Sequence, residues 1–266
     1  MPYSEILTRV RAGKPLDHIP VVDLHAHLAG ASDYYYIPYS DADAVVAYLD
    51  RYGVAHSLNF PIAVSSDPGP GNRHIYQAAH RHPERLSALT MLHAQFPEDW
   101  PALLREGYAA GTRGIKLIAA YQGANDNAMD WSSAFDYARD KQWMVLSHSW
   151  GSAETLEHWA REYPEVVFLC GHATDLYRKV VSEYDNVYQS TCAAFCAGRS
   201  GRIEPMVNRM PVEKILHGSD ALDLDLGTSI GPVAYARISE EAKEKILGRN
   251  AVRLMKKLAW RLDWMD

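Results

Sequence analysis

Ile19-Pro20-Val21-Val22-Asp23-Leu24-His25-Ala26-His27 is a short apolar, β-branched run that ends in alternating Asp, His and His. β-Branched residues suit the pleated, half-buried surface of a strand. In a regular strand successive side chains point to opposite faces. Asp23, His25 and His27 are therefore expected on one face, and Val22, Leu24 and Ala26 on the other. Two imidazoles at i and i+2 on one face can converge on a single cation, and neutral imidazole is the commonest protein metal ligand. A structural histidine pair would look the same, so the reading depends on what the rest of the chain adds.

Outward from that run the chain alternates. Strand-like runs recur at 54–60, 86–92, 114–118, 143–148, 166–170, 186–189 and 214–217, each followed by a helical stretch. Asp41 or Asp43 is placed to cap a helix that Gly53 stops, Ser152 to cap another, and Ser239 a third that Gly248 ends; Asn250 is then expected to cap the last helix. Strands spaced by helices argue for parallel pairing. Eight such units in 266 residues match the roughly 250 residues of a closed barrel. The expected fold class is α/β: a (β/α)8 TIM barrel, one domain over residues 1–266, with a C-terminal helix. A doubly wound open sheet is the alternative, but no GxGxxG or GxxxxGK[ST] follows any run.

Bulk properties narrow the function classes. Hydrophobic content of 47% and charged content of 23% are those of a globular chain with a full core. A net charge of −6 without a dense Lys/Arg cluster offers no footprint for nucleic acid or an anionic membrane. The N-terminal residues lack a secretory pattern, and no window is long and apolar enough for a membrane helix. Cys170, Cys192 and Cys196 fit neither a disulfide framework nor a CxxC pair, so reduced, inert thiols in a cytoplasmic protein are expected. Oligomeric state is not encoded legibly. Trp260 and Trp264 call for a partner surface, which the barrel's own floor can supply.

Barrel enzymes carry their chemistry at the carboxyl ends of several strands, and polar residues punctuate those ends here. The first run ends in His25 and His27, the third in His93, and the fourth carries Lys116. The fifth ends in His148, the sixth in Gly171-His172, and the eighth in His217-Gly218-Ser219-Asp220. Each has a plain reading: a hydrogen-bonded loop histidine, a turn-shaping Asp, a snorkelling Lys. The joint placement argues for more. Imidazoles with a carboxylate suit Zn2+, with Mn2+, Fe2+ or Co2+ as alternatives. An open position would lower the pKa of a bound water toward ~7. Asp220 could take the water proton and pass it to a leaving group, while His172 could polarise a carbonyl or bind a developing oxyanion. Asp23 fits a supporting role, orienting a ligand.

Taken together, Val-Asp23-Leu-His25-Ala-His27, Gly114-Ile-Lys116-Leu, Val-Leu-Ser-His148, His172 and Lys-Ile-Leu-His-Gly218-Ser219-Asp220 resemble the amidohydrolase superfamily, in its amidohydrolase 2 branch of metal-dependent hydrolases and decarboxylases. The segment Glu244-Lys-Ile-Leu-Gly248-Arg-Asn250-Ala251 is similar to that branch's C-terminal signature. The resemblance runs from about residue 20 to 258. It implies a (β/α)8 barrel and a mononuclear site of His25, His27, His148 and Asp220, with His172 catalytic or substrate-polarising. Two points depart from it or complicate it. Gly171-His172-Ala173-Thr174 replaces the branch's frequent His-x-Gly-Gly. Lys116 stands where binuclear relatives elsewhere in the superfamily carry a bridging carboxylated lysine.

The substrate is expected to be a small molecule. Pocket candidates are Tyr34, Tyr35, Tyr36, His93, Lys116, Tyr121, Trp150 and the run 192–202. Within that run Arg199 and Arg202 could pair a substrate carboxylate, or be plain surface arginines. Asp223 and Asp225 either make the mouth acidic or cap a helix. Three functions compete: hydrolysis of an ester, lactone or amide; non-oxidative decarboxylation of an aromatic or muconate-type acid; and a non-catalytic barrel holding a structural metal. Hydrolysis is favoured.

Overall fold

Val21–His27 forms β1, and all seven residues are buried. The computed structural model describes residues 4–28, 41–194 and 202–265. The further strands are β2 (Val54–Phe60), β3 (Leu86–Ala88), β4 (Thr90–Met91), β5 (Gly114–Leu117), β6 (Met144–Ser147), β7 (Val167–Cys170), β8 (Val187–Ser190) and β9 (Ile215–Leu216). Every pairing is parallel and runs in chain order, β1-β2-β3 and then β4 through β9. The expected third strand is split at Leu89, whose N–H still reaches the Asn59 carbonyl at 2.9 Å, so β3 and β4 make one stave. The last stave closes on the first: Leu24 N–H donates to His217 O at 3.1 Å, Asp220 N–H to His25 O at 2.8 Å, and Leu222 N–H to His27 O at 3.2 Å. Eight parallel staves closed in this way are the (β/α)8 barrel.

The helices are α1 (Glu5–Arg11), α2 (Ala42–Tyr52), α3 (Gly69–Arg81), α4 (Trp100–Ala109), α5 (Ser132–Lys141), α6 (Ala153–Glu162), α7 (Arg178–Glu183), α8 (Ile203–Arg209), α9 (Leu226–Tyr235), α10 (Glu240–Glu244) and α11 (Asn250–Lys257). Period-two alternation splits the core into two layers. Ile115, Val145, Phe168, Val187 and Ile215 pack outward with helix residues such as Leu49, Phe135 and Val181. Leu58, Met91, Leu146, Leu169 and Leu216 fill the interior, and Met255 and Trp260 join them. Trp264 Nε1–H donates to Glu84 O at 2.9 Å, so both C-terminal tryptophans are used within the chain. Among the described residues no helix is long and apolar enough to cross a membrane.

Asp41 caps α2, Ser152 caps α6 and Ser239 caps α10, as their residue types favour. Of the two readings of Asp225, the cap is realised: it caps α9, a helix that the periodicity did not announce, and also accepts hydrogen bonds from the Tyr48 and Tyr52 hydroxyls at 3.0 and 2.7 Å. Two local expectations fail. Gly248 does not end a helix but lies in a π-helical turn, Lys245–Arg249, that runs on into α11. Asn250 does not cap; its Nδ2 donates to Val212 O and Ile215 O at 2.7 and 2.9 Å, tying α11 to the start of β9.

Gly248 is required by close approach: a Cβ there would lie 1.6 Å from Pro20 O, a backbone atom just ahead of β1. Gly248→Ala is expected to cost about 3 kcal/mol or more, at the upper end for overpacking. At roughly 2–4 °C per kcal/mol calorimetry would show a clear fall in Tm; an unchanged Tm would contradict the contact.

Acid is expected to destabilise the barrel. His56 and His217 are both 0% exposed, and burial pushes each imidazole down to about 4. Among the described residues neither ring nitrogen of His217 has a hydrogen-bond partner. An unfolded histidine titrates near 6.5. Between about 6.5 and 4 the unfolded chain therefore binds protons that the folded chain refuses, and stability is lost as pH falls through that window. Denaturant titrations of His217→Leu should lose about 1.4 kcal/mol per pH unit of this slope, the linkage of one proton. An unchanged slope would remove His217 from the account.

Candidate active site

Strict alternation along β1 is not what the barrel shows. Asp23 pairs with Ser57 and Ala26 with Asn59, so β1 spends three residues where β2 spends two. A bulge of this kind bends a strand and re-aims side chains, and bulges concentrate near active sites. Asp23 does not line the cavity that His25 and His27 share. His27 pairs with Phe60, whose ring packs against both imidazoles at centroid distances of 4.5 and 5.1 Å.

Asp23 instead splices β1 to the last stave. Its Oδ1 accepts from the backbone N–H groups of His25 and Ser219, both at 3.1 Å, and its Oδ2 accepts from the Ser219 hydroxyl. Burial pushes its carboxyl up to about 7 against these hydrogen bonds. The splice places Asp220, which sits in the left-handed region at φ 63°, a conformation that Asp tolerates better than most residues.

Asp220 Oδ1 lies 2.8 Å from His27 Nε2 and 3.1 Å from His25 Nε2. Its Oδ2 faces His172 Nε2 at 3.9 Å. Burial works against the Asp220 charge, but its imidazole neighbours, with His27 Nε2–H donating to Oδ1, outweigh it and hold the carboxyl well below its usual range. His25 Nδ1 sits 2.8 Å from Gly171 O. That carbonyl can only accept, so Nδ1 carries the proton. Burial, then the Lys116 ammonium, pushes His25 well below its ordinary value and keeps it neutral. Its Nε2 is thus a bare lone pair directed at a carboxylate oxygen, with Lys116 Nζ 3.4 Å away.

An acceptor facing an acceptor is the arrangement a cation relieves. Donor atoms on one ion at about 2.0–2.2 Å sit roughly 3 Å from each other, as Asp220 Oδ1 does from His25 Nε2 and from His27 Nε2. The residues present therefore fit a divalent metal. His25, His172, Cys192 and Asp220 also bring one donor atom each within 4.8 Å of one another. His27 and His148 are outside that four-atom set.

His25, His27, Lys116, His148, His172 and Asp220 line one cavity with Ile62, Ile118 and Tyr121, its volume about 20 Å³, room for about one water. The His148 ring packs at a tilt against Tyr121 and His172, each at 4.3 Å between centroids. Burial, then His172 and Lys116, lowers its pKa to about 3; burial also lowers His172 to about 4. Lys116 is buried with Nζ over the Phe60 ring at 4.2 Å, and burial brings its ammonium down to about 8.

Other candidates go elsewhere. His93 is a hydrogen-bonded loop residue: its Nε2 contacts Val64 O at 3.0 Å, its Nδ1 accepts from Gln95 N–H at 3.2 Å, and it does not line the cavity. Trp150 belongs to the outer core, against Phe135 and Phe168. Arg202 donates to Ala173 O beside His172. Arg199, Cys196 and Tyr34 to Tyr36 lie outside the described residues. Cys192, expected to be inert, stands beside Asp220, and burial with Asp220's charge keeps its proton on. It opens the run 192–202 named as a pocket candidate, just beyond β8.

Among curated proteins none matches the chain in sequence. Solved structures similar to it include an uncharacterised TIM-barrel protein from Bordetella bronchiseptica (TM-score 0.74, 14% identity, covering 91% of this chain and 100% of that one). Another is a manganese-bound 5-carboxyvanillate decarboxylase from Novosphingobium aromaticivorans (0.68, 12%, 91% and 98%). A third is a probable 2-pyrone-4,6-dicarboxylic acid hydrolase from Acinetobacter baumannii with citric acid bound (0.65, 16%, 90% and 100%). At such identities the likeness establishes the barrel and no more. The family model described as amidohydrolase matches residues 22–256, from the second residue of β1 almost to the end of α11, and the chain therefore belongs to the amidohydrolase family.

Proposed function

We propose that the chain is a metal-dependent hydrolase that cleaves an ester, lactone or amide bond of a small molecule with an activated water. His25, His27, His148 and Asp220 would hold one divalent ion, Zn2+ before Mn2+, Fe2+ or Co2+. Such an ion supplies Lewis acidity, lowering the pKa of water toward about 7 and polarising a carbonyl. The observation that carries the reading is the division of labour at Asp220: two imidazoles hold Oδ1, while Oδ2 faces His172 at a water-sized cavity.

The chain's own residues then do the following. Asp220, ionised in the resting site, accepts a proton and returns it to the leaving group. Neutral His172 donates a hydrogen bond to the carbonyl oxygen as charge develops there. Asp23 positions His25 through its backbone N–H and Asp220 through the neighbouring Ser219. Lys116 places a buried positive charge beside the reacting groups.

That same ammonium favours a second reading, decarboxylation, because a buried cation on the cavity wall suits a substrate carboxylate. The decarboxylase among the similar structures is in keeping with it. A panel of lactones, esters, amides and aromatic or muconate-type carboxylic acids, run on protein of known metal content, separates the two. Hydrolysis of an ester or lactone yields one new acid per turnover in a pH-stat and no CO2. Release of CO2 with no new carboxylic acid would overturn it in favour of decarboxylation.

A further inference from the structure

We propose that Cys192 donates its sulfur to the divalent ion, making the site one of nitrogen, oxygen and sulfur donors that selects a borderline-soft ion over Mn2+. The inference rests on the metal-site reading above and goes beyond it by adding a ligand and a selectivity.

Four observations carry it. The Cys192 side chain is 0% exposed, and its sulfur lies within 4.8 Å of donor atoms of His25, His172 and Asp220. Its backbone is pinned on both sides: its N–H donates to Ser190 Oγ at 3.0 Å, and its carbonyl accepts from Ala173 N–H at 2.8 Å, next to His172. Gly218 allows close packing of these segments: a Cβ there would clash with Ser190 Oγ, the acceptor of the Cys192 N–H, and stand 2.7 Å from His25 Cβ and 3.4 Å from Cys192 Cβ. Finally, His27, 5% exposed, has an Nδ1 with no hydrogen-bond partner among the described residues, and the unprotonated His25 Nε2 faces Asp220 Oδ1 at 3.1 Å and the Lys116 ammonium at 3.4 Å.

Binding breaks the thiol S–H bond and forms a sulfur–metal bond, with the proton leaving to solvent. Thiolate donors favour Zn2+ and its neighbours, whereas Mn2+ suits oxygen donors. Cys170 is buried too but is not in the donor group.

The test is the absorption spectrum of the full chain loaded with Co2+. The expected result is a near-ultraviolet thiolate-to-Co2+ charge-transfer band that is lost in both Cys192→Ser and Cys192→Ala and kept in Cys170→Ser and Cys196→Ser. The Zn2+ over Mn2+ affinity ratio should fall at least about tenfold in Cys192→Ser. Bound Co2+ with visible bands but no charge-transfer band overturns the role of Cys192 while leaving the metal site standing, as does a band that survives both Cys192 variants. Equal loss of Zn2+ and Mn2+ affinity overturns the selectivity and assigns Cys192 to packing. No Co2+ binding at all overturns the metal site itself and this proposal with it.

Discussion

Asp220→Asn is expected to lower kcat by at least about a thousandfold while the circular dichroism spectrum stays that of the parent. General base catalysis alone contributes roughly 10²–10⁴. The substitution is close to isosteric, and Asn tolerates the left-handed backbone that Asp220 adopts at φ 63°. The amide oxygen can still accept from His27, so the barrel seam is kept. What is lost is the charge that two imidazoles share and the oxygen that takes the proton. Near-normal turnover would remove Asp220 as the base.

His25→Ala should have the second large effect, with turnover and tight metal binding lost together. The imidazole joins three parts of the barrel mouth: Gly171 O at 2.8 Å, Asp220 Oδ1 at 3.1 Å and Lys116 Nζ at 3.4 Å. Removing an outer partner of a metal ligand costs about 10–100-fold in affinity, and a direct donor should cost more. Leaving the Lys116 ammonium without His25 Nε2, and the Gly171 carbonyl without its donor, should also cost about 1–3 kcal/mol of stability. His93→Ala is the control, because both its ring nitrogens are spent on the backbone of its own neighbourhood. Metal binding at parent strength in His25→Ala would contradict the assignment.

Much of the barrel is legible in residue order because its signals are local. β-Branched runs, caps such as Asp41 and Ser239, and the glycine at 53 announce staves and helices one at a time. Polar residues at stave ends are equally local, which is why His25, His27, His148, His172 and Asp220 could be named without coordinates and why one cavity receives them. What escaped depends on contacts between distant segments. The bulge in β1 exists only in its pairing with β2, so the alternation that placed Asp23 beside the histidines could not reveal it. Gly248 reads as a helix stop until Pro20 is seen against it, and Asn250 as a cap until its amide is seen bound to the start of β9. His93 obeys the stave-end pattern, but the Val64 carbonyl and Gln95 amide claim its nitrogens. Cys192 reads both as an inert buried thiol and as the start of the pocket-candidate run 192–202; only the folded barrel brings it to the other donors.

The central claim is a single divalent ion at the carboxyl end of the barrel, held by donors gathered from the first, fifth and last staves. Elemental analysis of the purified chain, alongside Asp220→Asn and His25→Ala, tests it most directly. The account predicts one ion per parent chain, with content falling in both variants in step with turnover. Two ions per parent chain would contradict the mononuclear site and bring Lys116 and His172 in as ligands, and an active chain without metal would contradict the claim altogether.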